Sequence, residues 1–207
     1  FILPESNIID SSYATLDKFF ELAPWVLLFL VPALAMHSLS DEYKTGTFEL
    51  LKTQPLTPWQ IVWGKYAAIL IVILVVIVPT FIYVLTIKSL SASGTIDGGG
   101  ITGSYVGLFM LAAVFAAISL CCSSFTANSV VAFLVSAFVC LVLYFGFNAL
   151  SRLPVFAGSS DYYIEQAGID FHYHSISRGV LDSRDIIYFL SLIFLSLFIT
   201  VKNIRRS

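Results

Sequence analysis

Charged side chains are scarce in this sequence. Asp, Glu, Lys and Arg make up 12% of its 207 residues, whereas hydrophobic residues make up 58%. A soluble domain carries about 25% charged residues, so this deficit and a mean hydropathy of +0.90 indicate an integral membrane protein. The formal net charge of −2 provides no basic surface, which argues against a nucleic-acid partner.

The sequence also lacks the motifs of an enzyme. Its one Gly-Lys pair, Gly64-Lys65, is followed by Tyr66 and has no glycine five residues earlier, so it is not a P-loop. No serine–histidine or paired-carboxylate arrangement occurs at membrane depth. We therefore expect no catalytic site and no cofactor in this chain, and a separate ATPase would have to bind any ATP and Mg²⁺.

Long stretches without Asp, Glu, Lys or Arg predict the membrane spans. One stretch, 98–151, is too long for a single helix, which crosses the hydrocarbon core in about 20 residues, and it divides at the polar turn 123–128. The runs show no apolar/polar alternation, which favours helices over a barrel. The sequence thus predicts an all-α integral membrane protein with five transmembrane helices, at roughly 22–40, 64–88, 104–122, 128–149 and 184–202.

Local signals mark helix ends, kinks and a packing face. Thr57-Pro58-Trp59-Gln60 has the pattern of a capping box before the second span, and Asp182-Ser183 can cap the last one. Pro32 and Pro79 are expected to kink their spans. Small residues on the third span predict close helix packing there: Gly103, Gly107, Ala112 and Ala116.

Basic residues at the C-terminus determine the predicted orientation. The cluster within 202–206 places the C-terminus in the cytoplasm of a bacterial inner membrane. Counting back through the spans makes 41–63 cytoplasmic and 150–183 external. The N-terminus then lies outside without a signal peptide, so we expect a first span upstream of Phe1. The whole would be a six-helix protein in which 1–207 form one transmembrane domain.

The external segment 150–183 is rich in tyrosine, with Tyr162, Tyr163 and Tyr173 among its residues. Their amphipathic rings suit the headgroup level, so we expect short interfacial or re-entrant helices before the last span. The segment also contains His172-Tyr173-His174, where both imidazoles would share one face of an extended strand. Two histidines make a weak metal-ligand set, and interfacial packing is the alternative interpretation.

The segment 41–65 carries the most specific motif of the chain. From its amphipathic pattern alone, it could be a loop that only rests on the membrane surface. Its residue order, however, resembles the signature between the second and third spans of type-2 ABC permeases, E-x-x-x-G-T-x-E-L-L-x-x-x-P followed by G-K. The matching positions are Glu42, Gly46, Thr47, Glu49, Leu50, Leu51, Pro55, Gly64 and Lys65.

This resemblance implies a coupling helix that docks on a separate ABC ATPase subunit. Glu49 and Leu50 would be central to the contact, Gly46 would form a tight bend, and Thr47 would cap a helix that starts at Phe48. The implied coupling residues are Glu42, Gly46, Thr47, Glu49, Leu50, Leu51 and Pro55. A complete transporter would also need a second permease protomer, identical or related, in the lipid membrane.

Longer stretches resemble the gliding-motility-associated ABC permeases of the F-subunit type. They are residues 12–17, 22–26, 103–108 and 175–185. The resemblance implies a transporter of the gliding-motility type, with a substrate that the sequence does not identify. Two alternatives stay open: a non-transporting membrane scaffold of a gliding or secretion machine, and a metal-handling ABC permease that would use His172 and His174.

Overall fold

The computed structural model describes residues 16–90, 98–153, 161–179 and 182–206, and every regular element within these ranges is helical. The helices are α1 (Asp17–Ala35), α2 (His37–Thr45), α3 (Thr47–Thr53), α4 (Pro58–Ile77), α5 (Phe81–Leu90), α6 (Gly98–Ser123), α7 (Ser129–Leu141), α8 (Phe147–Ser151), α9 (Asp161–Gln166), α10 (Ile169–Ser177) and α11 (Ser183–Arg206). A 3₁₀ turn (Val78–Thr80) joins α4 to α5, and a π-helical turn (Val142–Gly146) joins α7 to α8.

Five helical segments are long and apolar enough to cross a membrane. Each overlaps one of the five predicted spans, so the predicted all-α class and the order of the spans are confirmed. The first segment consists of α1 and α2, the second of α4 with α5, and the fourth of α7 with α8. Their bounds are Lys18–Thr45, Pro58–Thr86, Gly98–Ser123, Ser129–Ser151 and Ser183–Arg205.

The third span, α6, is the centre of the bundle. Its most apolar window is 72% buried, whereas that of the second span is 17% buried. Helices α1, α7, α10 and α11 pack around it. Ala112 and Ala116 are fully buried, because small side chains on α6 let the surrounding helices approach closely. Leu111, Phe115 and Leu120 fill the space between the helix axes.

Helix ends and one interruption of the α-helical pattern occur where the sequence signals them. The Thr57 side chain accepts from the Gln60 N–H, and the Gln60 side chain accepts from the Thr57 N–H at 2.8 Å, so the capping box of α4 is confirmed. Asp182 accepts from the Arg184 N–H at 3.0 Å and caps α11. At Pro79 the α-helix gives way to the 3₁₀ turn, since proline lacks the N–H that the α-helical ladder requires.

Short elements gather at two ends of the bundle. At the first, which we call the α3 end, α2 and α3 lie beside the turn 124–128 and the C-terminal part of α11. Asn203 Nδ2 donates to the Ser124 carbonyl at 2.5 Å, and Ser129 Oγ donates to Asp41 at 2.6 Å. At the second, the α10 end, α10 packs against the beginnings of α6 and α11, and α9 packs against α8 and α10.

Candidate functional site

Gly46 forms the bend between α2 and α3. Its φ of +71° lies in the left-handed region that favours glycine, so the predicted bend is present. Helix α3 begins at Thr47, one residue earlier than predicted. The predicted Thr47 cap is wrong, because Gly46 occupies the N-cap position. The Thr47 hydroxyl instead bonds to the Thr45 hydroxyl at 2.9 Å.

Helix α3 packs one aromatic side chain inward and presents an acidic one outward. Phe48 is buried, with its ring 4.6 Å from the ring of Tyr43 on α2. Glu49 is exposed. Leu50 and Leu51 belong to α3, but their side chains lie outside the described part of the chain. The described surface of α3 therefore offers a carboxylate to solvent at the position that the signature assigns to the ATPase contact.

The two ends of the signature meet in an ion pair. Lys65 Nζ on α4 donates to the Glu42 carboxylate and to the Ser38 carbonyl of α2, both at 2.6 Å. The two side chains are mostly buried, at 20% exposed for Lys65 and 27% for Glu42. The signature places Glu42 among the ATPase-coupling residues, whereas here its carboxylate turns inward and links the first span to the second. Pro55 lies in the exposed connection between α3 and α4.

Ser123, at the end of α6, is a site residue that the sequence analysis missed. Its hydroxyl accepts from the N–H groups of Leu39 (3.2 Å) and Ser40 (3.1 Å) and donates to the Met36 carbonyl (3.1 Å). These groups lie where α1 passes into α2, and the first N–H groups of a helix need partners from outside it. The polar turn at 123–128 was the available signal, but it indicated only a boundary between spans.

Gly103 and Gly107 bring α6 into close contact with α10 rather than with a neighbouring span. A Cβ at Gly103 would lie 2.6 Å from the Ile176 carbonyl oxygen and 2.7 Å from the Gly179 Cα. At Gly107 it would lie 3.2 Å from Ile176 Cγ2. Only glycine fits at the first position without a shift of the backbone, so this small-residue face seats α10 on the central helix.

The short helices predicted before the last span are present as α9 and α10. Tyr162 and Tyr163 on α9 are 55% and 72% exposed, as rings at a headgroup boundary would be. Tyr173 on α10 is instead fully buried, and its hydroxyl donates to the Phe20 carbonyl of α1 at 2.7 Å. Placing Tyr173 at the membrane surface was therefore wrong, because it faces the bundle.

The two histidines of α10 lie on different sides of that helix. The segment is helical rather than extended, so residues two apart are separated by about 200° around the axis. His172 is buried and His174 is exposed. The expectation that both imidazoles share a face is wrong, and within the described ranges no three His, Cys, Asp or Glu side chains are grouped to hold a metal ion.

Asp170 ties α10 to the fourth span. Its carboxylate accepts from Asn148 Nδ2 at 3.0 Å, hydrogen-bonds with Tyr144 in the π-helical turn, and lies 3.2 Å from His174 Nε2. Burial alone would raise the pKa of Asp170, but these hydrogen bonds outweigh it and leave that pKa below its ordinary value. The hydrogen bond to Asp170 raises the pKa of His174.

A comparison with protein families identifies a relative of the whole bundle. The family described as "ABC-2 family transporter protein" matches residues 8–200 of the chain. No curated protein matches it. The matched range contains the first four apolar segments, most of the fifth, and the whole stretch from Glu42 to Lys65. Permeases of this kind are membrane subunits that work with an ABC ATPase subunit. The chain therefore belongs to the ABC-2 family of transporter membrane subunits.

Proposed function

We propose that this permease couples to its ATPase through α3, at the cytoplasmic side of a bacterial inner membrane. One observation carries the proposal: an exposed Glu49 on α3 lies on the segment that the Glu42–Lys65 ion pair fastens to two spans. The exposed carboxylate offers a charged contact to a basic group on the partner. The ion pair behind it gives that contact a mechanical connection to the membrane.

A displacement of α3 has two described routes into the bundle. Through α2 it reaches α1, and the Ser123 hydroxyl connects this junction to the central helix α6. Through Lys65 it reaches α4, which starts at a full capping box at Thr57 and so resists fraying at that end. Closure of two ATPase subunits around ATP and Mg²⁺ would thus tilt the first two spans against α6.

The proposed orientation follows from charge. Lys202 and Arg205 are exposed at the α3 end, and cytoplasmic flanks of membrane helices are enriched in basic residues. Single cysteines at Thr45 and Tyr163, in a background without the native cysteines, test this proposal. We expect a membrane-impermeant reagent to label position 45 only from the cytoplasmic side and position 163 only from outside. The reverse pattern would invert the proposed topology.

Two further parts of the proposal concern assembly and cargo. A second permease protomer, identical or related, would complete the path, and the largely exposed second span leaves apolar surface for lipid and for this protomer. The predicted spans hold no Asp, Glu, Lys or Arg in their middle, which favours lipid, polysaccharide or peptide cargo over small ions. The resemblance to gliding-motility-associated permeases supports a role in that process.

Co-purification with the ABC ATPase encoded beside it tests the coupling site. We expect the Glu49→Lys, Leu50→Asp double variant to bind that ATPase well over tenfold more weakly. A buried apolar side chain contributes roughly 1.5–3 kcal/mol, and losing one partner of a buried charge pair costs about 2–5 kcal/mol. The control is Glu21→Lys, which reverses an exposed charge near the α10 end.

Three results are informative. Loss of ATPase recovery in the double variant alone, at normal membrane levels, supports docking through α3. Equal recovery with wild type and double variant would contradict the coupling site. No recovery even with the wild-type chain would contradict the transporter proposal and favour the scaffold alternative.

A further inference from the structure

His172 is a buried histidine with a hydrogen-bond acceptor at each ring nitrogen. Nδ1 lies 2.6 Å from Asp185 Oδ1 at the beginning of α11, and Nε2 lies 2.9 Å from the carbonyl oxygen of Gln166 at the end of α9. The imidazole also stacks on Tyr188, with ring centroids 4.0 Å apart. One side chain of α10 therefore connects three helices of the α10 end.

The number of protons in this arrangement can be counted. A neutral imidazole has one donor nitrogen and one acceptor nitrogen. The Gln166 carbonyl can only accept, and an ionised Asp185 can only accept. With a neutral ring, one nitrogen lone pair would therefore face an oxygen lone pair at hydrogen-bond distance. The contacts are all satisfied only if the His172–Asp185 pair carries one additional proton.

Three features assign that proton to the ring. Imidazole is a stronger base than carboxylate, with ordinary pKa values of about 6.5 and 3.9. Asp185 lies in the first turn of α11, where the helix dipole favours a negative charge. The face of Tyr188 attracts a cation. A separate consequence concerns the carboxylate itself: Asp185 Oδ2 is buried with no hydrogen-bond partner within the described residues, so an ionised Asp185 is costly without a positive charge beside it.

We propose that His172 and Asp185 form a buried proton-binding site whose doubly protonated ring clamps α9 and α10 to α11. When the proton leaves, the pair keeps a buried carboxylate and loses one of its two hydrogen bonds. The α10 end then loosens, so proton occupancy controls how firmly this end of the permease is closed.

Other titratable groups lie around the His172–Asp185 site. Asp170 and His174 belong to another face of α10 and bond to each other. Those on the packed elements and flanks are Lys18 and Glu21 on α1, Tyr105 on α6, Tyr144 in the π-helical turn, Asp161, Tyr162, Tyr163 and Glu165 on α9, Tyr173 and Arg178 at α10, and Asp182, Arg184 and Tyr188 at α11.

The chain is well suited to a direct test, because it contains three histidines. In the His37→Asn, His174→Asn background, ¹⁵N-histidine labelling reports on His172 alone. We expect two protonated ring nitrogens at neutral pH in lipid nanodiscs. In the added Asp185→Asn variant we expect one bare nitrogen. There the new amide can donate to Nδ1 while Nε2–H donates to Gln166, so the neutral ring is satisfied and the packing is kept.

Amide hydrogen exchange of α10, corrected for the intrinsic effect of pH, tests the clamp. We expect exchange in the same His37→Asn, His174→Asn background to rise roughly tenfold or more as the ring loses its proton, because an uncompensated buried charge is costly. The Asp185→Asn variant should show no such step. A bare nitrogen on His172 at neutral pH in the chain with Asp185 intact would overturn the proton site. Exchange that stays flat while the ring titrates would overturn the clamp.

Discussion

The short helices at the two ends of the bundle are built in contrasting ways. At the α3 end, α3 rests on α2 through Phe48 and turns Glu49 towards solvent. At the other end, α10 lies among α1, α6 and α11, with Ile169, Tyr173 and Ile176 almost completely buried. The first helix presents a charged side chain to its surroundings, and the second is part of the chain's own core.

This contrast indicates which segments of the molecule can open locally. A segment with little buried surface opens at low free-energy cost, whereas one with many buried contacts opens only with the surrounding fold. The proposed mechanism needs both kinds of element. In it, α3 would adjust to the ATPase, and the α10 end would stay closed until the spans move.

The largest expected effect comes from disrupting the close contact between α10 and α6. In Gly103→Ala, the new Cβ would meet backbone atoms at 2.6 Å and 2.7 Å, so α10 must shift. We expect the free energy of unfolding to fall by about 3 kcal/mol or more, at the upper end of the effects of overpacking a core. The control is Gly64→Ala on α4, where a Cβ would have open space. Its free energy of unfolding should rise by about 0.5–1 kcal/mol, because alanine reduces the conformational entropy of the unfolded chain.

Thermal unfolding in detergent, followed by circular dichroism, measures both variants. Equal stability of Gly103→Ala and wild type would show that α10 is not seated on α6 as the structure has it. The comparison between the two ends would then lose its basis.

The next effect lies at the α3 end and concerns the Glu42–Lys65 pair. Glu42→Gln and Lys65→Met each leave a partly buried charge without its partner. Each substitution should lower the free energy of unfolding by about 1–3 kcal/mol, between the values for exposed and for fully buried ion pairs. The double variant should cost less than the sum, since no lone charge remains. Thermal unfolding of the four proteins gives the coupling energy, and strict additivity would contradict the ion pair.

The sequence predicts those features of the structure that depend on neighbouring residues. The spans, the Thr57 cap and the Gly46 bend depend on nearby residues, and the sequence indicates them directly. The role of Ser123 depends on contacts with Leu39 and Ser40, more than eighty positions away. No periodicity or capping rule contains such a contact.

The same limit explains the errors at the α10 end. Residues 172–174 alternate polar and aromatic side chains, which suits an extended segment as well as a helix. Tertiary contacts decide between these, because α10 fits against Gly103 and Gly107 as a helix. The signature around Glu49 could be recognised from the sequence, since its residues lie in one contiguous stretch of the chain.

A smaller effect should come from pH, through His174 and Asp170. The pKa of His174 is raised, so its contribution to stability is lost as pH rises through that raised value. The pKa of Asp170 is lowered, so its contribution is lost as pH falls through the lowered value. Both are fully present between about pH 3.9 and 6.5, the ordinary values of the two groups.

Because His174 is half exposed, we expect the pair to contribute less than about 1 kcal/mol. The measurement is the difference in unfolding temperature between wild type and His174→Gln across pH. It should be largest within that window and disappear in alkaline solution. A difference that does not change with pH would mean that the side chain contributes by packing alone.

The smallest expected effect concerns Glu49 and completes the comparison. Glu49→Gln removes an exposed charge on α3 and should leave the free energy of unfolding within about 0.5 kcal/mol of wild type, as surface substitutions do. Its counterpart on α10 is Tyr173→Phe, which leaves the buried Phe20 carbonyl without its donor and should cost about 1–3 kcal/mol. ATPase binding should show the opposite order, with Glu49→Gln weakened and Tyr173→Phe unchanged. If Glu49→Gln instead destabilised the isolated permease as much as Tyr173→Phe, α3 would belong to the core, and its assignment as a docking helix would fail.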